Sequence, residues 1–332
     1  MNNKGPLFTV AAILFCIIPF VHTELGSTAF AQSEPLGDPG ARPGLWLPWR
    51  VDVTGFPQYG ISTADRKAVA EQLAAVASVV RASPALADLR GIYPELTGSL
   101  MPGGAPTDEK HFKSAPLGGT IILAVWVENQ IDRVGNSVSV KKEWRYNGPA
   151  SLVIALNRPI EPNAEPWMQD EQGRFFPLDE GRPIGGFPVQ FEHVIVSKNG
   201  RPLYLPVTKE RLIKAYIVKI EPAARTVPEY KRQLNEAQAL LAKLSDAEKK
   251  QPAWRKNGAS KLDLVPEGSA NARPLVEVNR AFFDPKLPRA ALQVLLVRIE
   301  PHASQRAAGS KLLAARASMA VIERTDWRKA LR

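Results

Sequence analysis

The stretch FPVQFEHVIVSKNGRPLYLPVTKERLIKAYIVKI, residues 187–220, carries the strongest pattern in the 332-residue chain, and the rest is read outward from it. Phe187, Val189, Phe191, His193 and Ile195 alternate with Gln190, Glu192, Val194 and Val196, the period-two pattern of a strand with one apolar face. Asn199-Gly200 offers the two residue types that best tolerate the positive φ angles of a type I′ turn. The reading is a hairpin whose return strand runs from Leu203 to Val207. Thr208 then presents a side-chain oxygen to the first amides of a helix in which Leu212, Ile213, Tyr216, Ile217 and Ile220 share one face. That helix is expected to lie back across the sheet.

Upstream, Thr120–Val127, Val138–Tyr146 and Ser151–Leu156 read as an antiparallel meander, the middle strand turning Lys141, Glu143 and Arg145 outward. Ser62 and Asp65 frame the start of a helix in which Val69, Leu73, Val76 and Val80 recur at helical spacing, and Pro84 marks its end. Gly91 to Gly119 shows no periodicity and reads as loop. Its glycine pairs at 103–104 and 118–119, like the pair at 185–186, read as turns. Residues 32–60 form an irregular Pro/Gly-rich arm with aromatic anchors at Trp46, Trp49, Phe56 and Tyr59.

Between Asn157 and Phe187 prolines and glycines crowd together, the composition of a junction. Asp170-Glu171-Gln172-Gly173 and Asp179-Glu180-Gly181 lack the ligand spacing of a calcium loop and read as two polar turns around the short apolar strand Phe175-Phe176. Downstream, Thr226 and Glu229 suggest a capped helix with Tyr230, Leu234, Ala237, Leu241 and Leu244 on one side. Its other side mixes charges, as a solvated face does. Pro274–Asn279 and Ala291–Glu300 read as strands, and a final helix from Ser310 breaks near Thr325. Ile-Glu-Pro recurs at Ile160, Ile220 and Ile299 with unequal spacing, so it reads as element-ending chemistry rather than a repeat.

The expected fold class is α+β: antiparallel sheet segments, a meander plus a hairpin, with amphipathic helices packed on one side. The segments are 1–31, 32–60, 61–160 (helix and meander), 161–186 (junction) and 187–332 (hairpin-helix core, long helix, C-terminal strands and helices). One domain with a covering loop and two lobes meeting near residues 157–186 are both compatible with this length.

Lys4, the apolar run Leu7–Val21 and Ala29-Phe30-Ala31 have the form of a secretory leader cleaved after Ala31. The run is too short for a membrane span, and no later segment is long and apolar enough for one. Cys16, the only cysteine, falls inside the leader, so the mature chain has no thiol for disulfides, nucleophilic attack or metal ligation. Losing Lys4 and Glu24 from 43 basic and 33 acidic residues leaves 42 and 32, a net charge still of +10. In an exported bacterial protein, periplasmic or at the cell surface, that balance suits anionic envelope polymers or lipid surfaces, and nucleic acid is not the expected partner. Solubility alone is the bland alternative. Candidate binding residues are the basic pairs Lys141-Lys142 and Arg255-Lys256, with Trp46 and Trp49 as a stacking platform; as tryptophans they equally suit a groove of their own domain. Lys249-Lys250 and Arg328-Lys329 are further basic clusters.

No metal site, cofactor motif or nucleophile elbow is legible. His111, His193 and His302 stand far apart, and His193 in its strand reads as a satisfied, half-buried histidine. Catalytic residues are therefore not assigned. A carboxylate-dependent envelope hydrolase, acting on a glycan for example, is the alternative reading, because two facing carboxylates leave no local pattern.

Overall fold

The computed structural model describes residues 42–56, 60–102, 116–135, 137–142, 151–158, 166–198, 200–256, 262–279, 281–299 and 310–332. The leader with Ala29, Ala31 and Cys16, as well as His111, His302, Trp144 and Tyr146, lies outside these residues. Among the described residues the α-helices are α1 (Thr63–Arg81), α2 (Lys209–Ala224), α3 (Pro228–Lys243), α4 (Asp246–Lys249) and α5 (Ser310–Arg324). The strands are β1 (Arg50–Asp52), β2 (Ile92–Pro102), β3 (Leu117–Val127), β4 (Ile131–Val134), β5 (Ser137–Val140), β6 (Ser151–Leu156), β7 (Met168–Gln169) and β8 (Arg174–Pro177). They continue with β9 (Glu180–Ile184), β10 (Phe187–Gln190), β11 (His193–Ser197), β12 (Tyr204–Pro206), β13 (Trp254–Lys256), β14 (Ala272–Val278) and β15 (Val294–Ile299). The protein is α+β with mostly antiparallel sheets.

Eight strands form a curled, half-barrel sheet in the order β1-β2-β3-β6-β15-β11-β10-β9, antiparallel throughout except for the β1–β2 pair. A second sheet has the order β12-β14-β8-β7, with β13 also paired to β14. Side-chain alternation shows how these stack. On β6, β11 and β15, Ile154, Val194, Val196, Leu295 and Val297 point to a core shared with α1 and α5, whereas Ala155, Ile195 and Leu296 point to a core shared with Tyr204 and Val276 of the second sheet. On β14 the next residue, Leu275, faces the opposite way into a third core with Leu212, Ile213 and Tyr216 of α2. The layers are thus helices, large sheet, small sheet, helices. A small fourth cluster, with Tyr93, Trp126, Ile131 and Val140, lies where the β4–β5 ribbon meets β2 and β3.

The helix signals in the sequence hold. Ser62 accepts the Asp65 amide at 3.0 Å, and Val69, Leu73, Val76 and Val80 are buried. Thr208 accepts the Arg211 amide at 3.3 Å, and α2 buries Leu212, Ile213, Tyr216 and Ile220. The α2 helix packs on the small sheet and on α3. The α3 cap differs from expectation: Val227 precedes Pro228, no side chain caps the helix, and the Thr226 hydroxyl instead donates to the Ala223 carbonyl. Phe175 and Phe176 are buried in a short strand; the polar turn before it is present at Asp170–Gly173, but of the expected second turn Glu180 and Gly181 instead begin β9. The last helix ends at Arg324, followed by a 3₁₀ turn over Trp327–Leu331.

Three strand expectations are corrected. Among the described residues β11 does not pair with β12, the expected return strand; Asn199 of the expected turn lies outside them. Gln190 pairs with His193, so the tight turn is Phe191-Glu192, both at positive φ (49° and 63°), and β12 leaves to pair with β14. Both edges of β11 are filled, by β10 and β15, so no place remains for β12 beside it. The second correction is Gly91–Gly119, where β2 is an eleven-residue strand in register with β3 along its whole length. Pro94 is tolerated inside it because its carbonyl accepts the Leu47 amide, so the side of Pro94 that lacks a donor faces the arm and not β3. Gly118 and Gly119 lie within β3; a Cβ on Gly119 would come within 2.8 Å of Leu73 of α1, so the glycine lets the helix close on the sheet. By contrast Gly185 and Gly186, both at positive φ, do make the β9–β10 turn. Third, the meander is β2-β3-β6, and Val138–Val140 belongs to the separate β4–β5 ribbon.

Candidate functional site

A groove of about 800 Å³ runs along α2 beside the β7–β8 hairpin, with Trp167, Asp170, Glu210, Arg211, Lys214 and Lys219 among its lining residues. The hairpin turn is built by its own side chain: Asp170 Oδ1 accepts the amides of Gln172 and Gly173, each at 2.8 Å. This fixes the carboxylate opposite the first turn of α2. Arg211 meets it side-on, Nε donating to Oδ2 at 2.6 Å and Nη2 to Oδ1 at 2.9 Å, while Nη1 donates to Glu277 of β14. The guanidinium also lies over Phe175, 5.0 Å from the ring centroid. Gly173 leaves room for this arrangement, because a Cβ there would fall 2.8 Å from Glu277 Oε2.

The electrostatics follow from these contacts. Burial pushes the Asp170 carboxyl up, but the Arg211 fork and the two amides outweigh it and hold the group below its ordinary range. Arg211 is driven further toward its charged form, first by Asp170 and then by Glu277. On the exposed side Lys214 pairs with Glu210 at 2.7 Å.

Behind the groove wall stands a second arginine in a different state. Arg255 of β13 is only 5% exposed, and its guanidinium stacks on the Trp167 indole 3.8 Å from the centroid. Its Nε and Nη2 are buried without a hydrogen-bond partner among the described residues. Burial pulls its pKa down to about 10, and Asp263 is the carboxylate whose field opposes that shift. It remains charged at neutral pH.

The structure does not bring the candidate residues from the sequence into one place. Trp46 and Trp49 are partly buried against the α1/α5 core; Arg81 lies over the Trp46 ring at 5.1 Å, and Trp49 covers Gly98, where a Cβ would fall 2.5 Å from Cη2. Lys141 and Lys142 follow the β4–β5 ribbon, half-buried and exposed respectively. Lys256 is exposed while its neighbour Arg255 is buried. Lys249 pairs with Asp246, Lys329 with Asp326, and Arg328 lies over Phe187. Sequence reasoning missed Trp167, Arg211 and Glu277. The turn that holds Asp170 was legible, but its arginine partner lies 41 positions away on a helix face that gives no local signal. Among the described residues no group of three His, Cys, Asp or Glu side chains is placed to hold a metal ion, and no helix is long and apolar enough to cross a membrane.

No protein-family model, curated protein or solved structure matches the chain.

Proposed function

We propose that the chain is an exported protein of the bacterial envelope, periplasmic or at the cell surface, that binds an anionic envelope polymer or lipid surface rather than catalysing a reaction. The observation that carries this reading is where the excess charge lies. Residues 209–256, which build the outer helical layer and β13, hold twelve Lys and Arg against six Asp and Glu. Within that segment Lys219, Arg225, Lys231, Lys243, Lys250 and Lys256 are exposed, and none pairs with a carboxylate among the described residues. Unpaired surface cations on one layer raise the local concentration of an anionic polymer without any shaped site.

The hydrolase alternative has less support in the groove. A general acid needs a raised pKa, whereas Asp170 is held low and, with Glu277, is already bound to Arg211.

Cosedimentation with a polyuronate, with anionic vesicles and with neutral vesicles tests the proposal. Exposed charges are screened beyond about 8 Å at physiological salt, so binding to an anionic partner is expected to fall roughly tenfold or more between low and high salt. Equal sedimentation with neutral vesicles, or no salt dependence, would overturn it.

A further inference from the structure

Arg211 and Arg255 present the same chemical edge in two conditions. In a guanidinium the Nε–H and Nη2–H bonds point the same way and form a fork that matches the two oxygens of a carboxylate. Arg211 uses that fork on Asp170, with both bonds under 3 Å. Arg255 offers the same two donors, Nε and Nη2, buried and unpaired, while the Trp167 ring covers one face of its guanidinium. Arg298, which among the described residues also has a buried unpaired Nε, already uses its Nη2 on Glu192. A buried donor without a partner is unfavourable, more so when charged, so two on one guanidinium call for a compensating partner.

From this we propose that the Arg255 fork binds the carboxylate of a ligand seated in the α2 groove, and that the ligand is a carboxylated sugar unit. A carboxylate is favoured over a phosphate by charge: one guanidinium can offset one negative charge, and the nearby Asp263 makes the second charge of a dianion harder still to hold. A sugar ring is favoured by Trp167: Arg255 does not itself line the groove, but Trp167 does and its ring holds the guanidinium, so an apolar ring face can approach the charged fork there. Because both donor atoms are closed to solvent, binding is coupled to a local opening around Trp167. The inference rests on the envelope-polymer reading for the source of the ligand: an acidic glycan would be attracted by the outer cations and recognised at Arg255.

The test uses the whole mature protein and titrates glucuronate, glucose and glucose 6-phosphate by calorimetry, with tryptophan fluorescence and melting temperature as parallel readouts. Glucuronate is expected to bind saturably, change the fluorescence and raise the melting temperature, while glucose does none of these. Arg255→Lys keeps the charge but loses the fork, and it is expected to weaken glucuronate at least tenfold. The wild-type ligand comparison stands even if that variant does not fold. Equal responses to glucose and glucuronate, unchanged affinity in Arg255→Lys, or tighter binding of glucose 6-phosphate would each overturn the proposal. Salt separates this site from the surface reading, since a buried fork keeps its affinity where exposed cations lose theirs. Glucuronate binding without polymer sedimentation would sink the surface reading alone; polymer sedimentation without glucuronate binding would sink the Arg255 site alone.

Discussion

His193 is 4% exposed, and its Nδ1 lies 2.5 Å from the Phe191 carbonyl, so in the neutral ring that nitrogen carries the hydrogen. Burial lowers its pKa to about 4; the carbonyl works the other way, and Arg298, its register partner on β15, adds to the lowering. The folded state therefore favours neutral histidine. Its stabilising effect is complete above the unfolded pKa near 6.5 and is lost as pH falls from there through about 4, because the unfolded chain takes up the proton first. The shift corresponds to about 3 kcal/mol at most. Urea midpoints of the wild type are expected to drop between about pH 6.5 and 4 more than those of His193→Gln. Parallel curves for the two proteins would show that His193 titrates no differently when folded. The same residue closes the Phe191-Glu192 turn, where two bulky residues hold positive φ. Contacts from elsewhere keep them there: Phe191 N–H donates to the Asp179 carbonyl, the Phe191 ring packs edge-on against Tyr204, and Glu192 accepts from Arg298 at 3.0 Å.

At the scale of elements, Arg211 ties a hairpin turn, a helix and a strand of the small sheet together through Asp170 and Glu277. All three side chains are mostly out of water, so removing the cation strands two carboxylates rather than one bond. Arg211→Met is expected to destabilise the protein by about 3 kcal/mol or more in urea. Adding Asp170→Asn and Glu277→Gln should recover part of that loss, because neutral amides tolerate the site without the guanidinium. If the triple variant is no better than Arg211→Met, lost packing over Phe175 and not charge explains the cost.

For the whole molecule the decisive feature is that neighbouring cores share backbone. Leu295 and Leu296 are adjacent yet face different cores, and Leu275 and Val276 do the same one layer further out. The α1/α5 layer and the α2/α3 layer are therefore linked through strands that neither can lose alone. Far-UV circular dichroism and tryptophan fluorescence are expected to report one coincident unfolding transition. Leu296→Ala should shift both curves equally, by about 2–5 kcal/mol. Two separated transitions would mean that the outer layer with α2 and α3 unfolds independently.

Taken alone, the amino-acid sequence determined the features whose causes lie within a few residues: the Ser62 and Thr208 caps, the buried faces of α1 and α2, the Phe175-Phe176 strand and the α+β class. Helix hydrogen bonds close within four residues, so their signals are local. The choice of strand partners was decided only in three dimensions. Backbone hydrogen bonds are much alike for any pair of strands, so Asn199-Gly200 could favour a turn but could not reserve an edge of β11 against β10 and β15. For the same reason β2, with Pro94 and Gly98 inside it, looked like loop until β3 on one side and Leu47 and Trp49 on the other supplied its contacts. The groove is the extreme case: Asp170, Arg211 and Glu277 come from positions 41 and 66 residues apart and meet only because two sheets and a helix have packed.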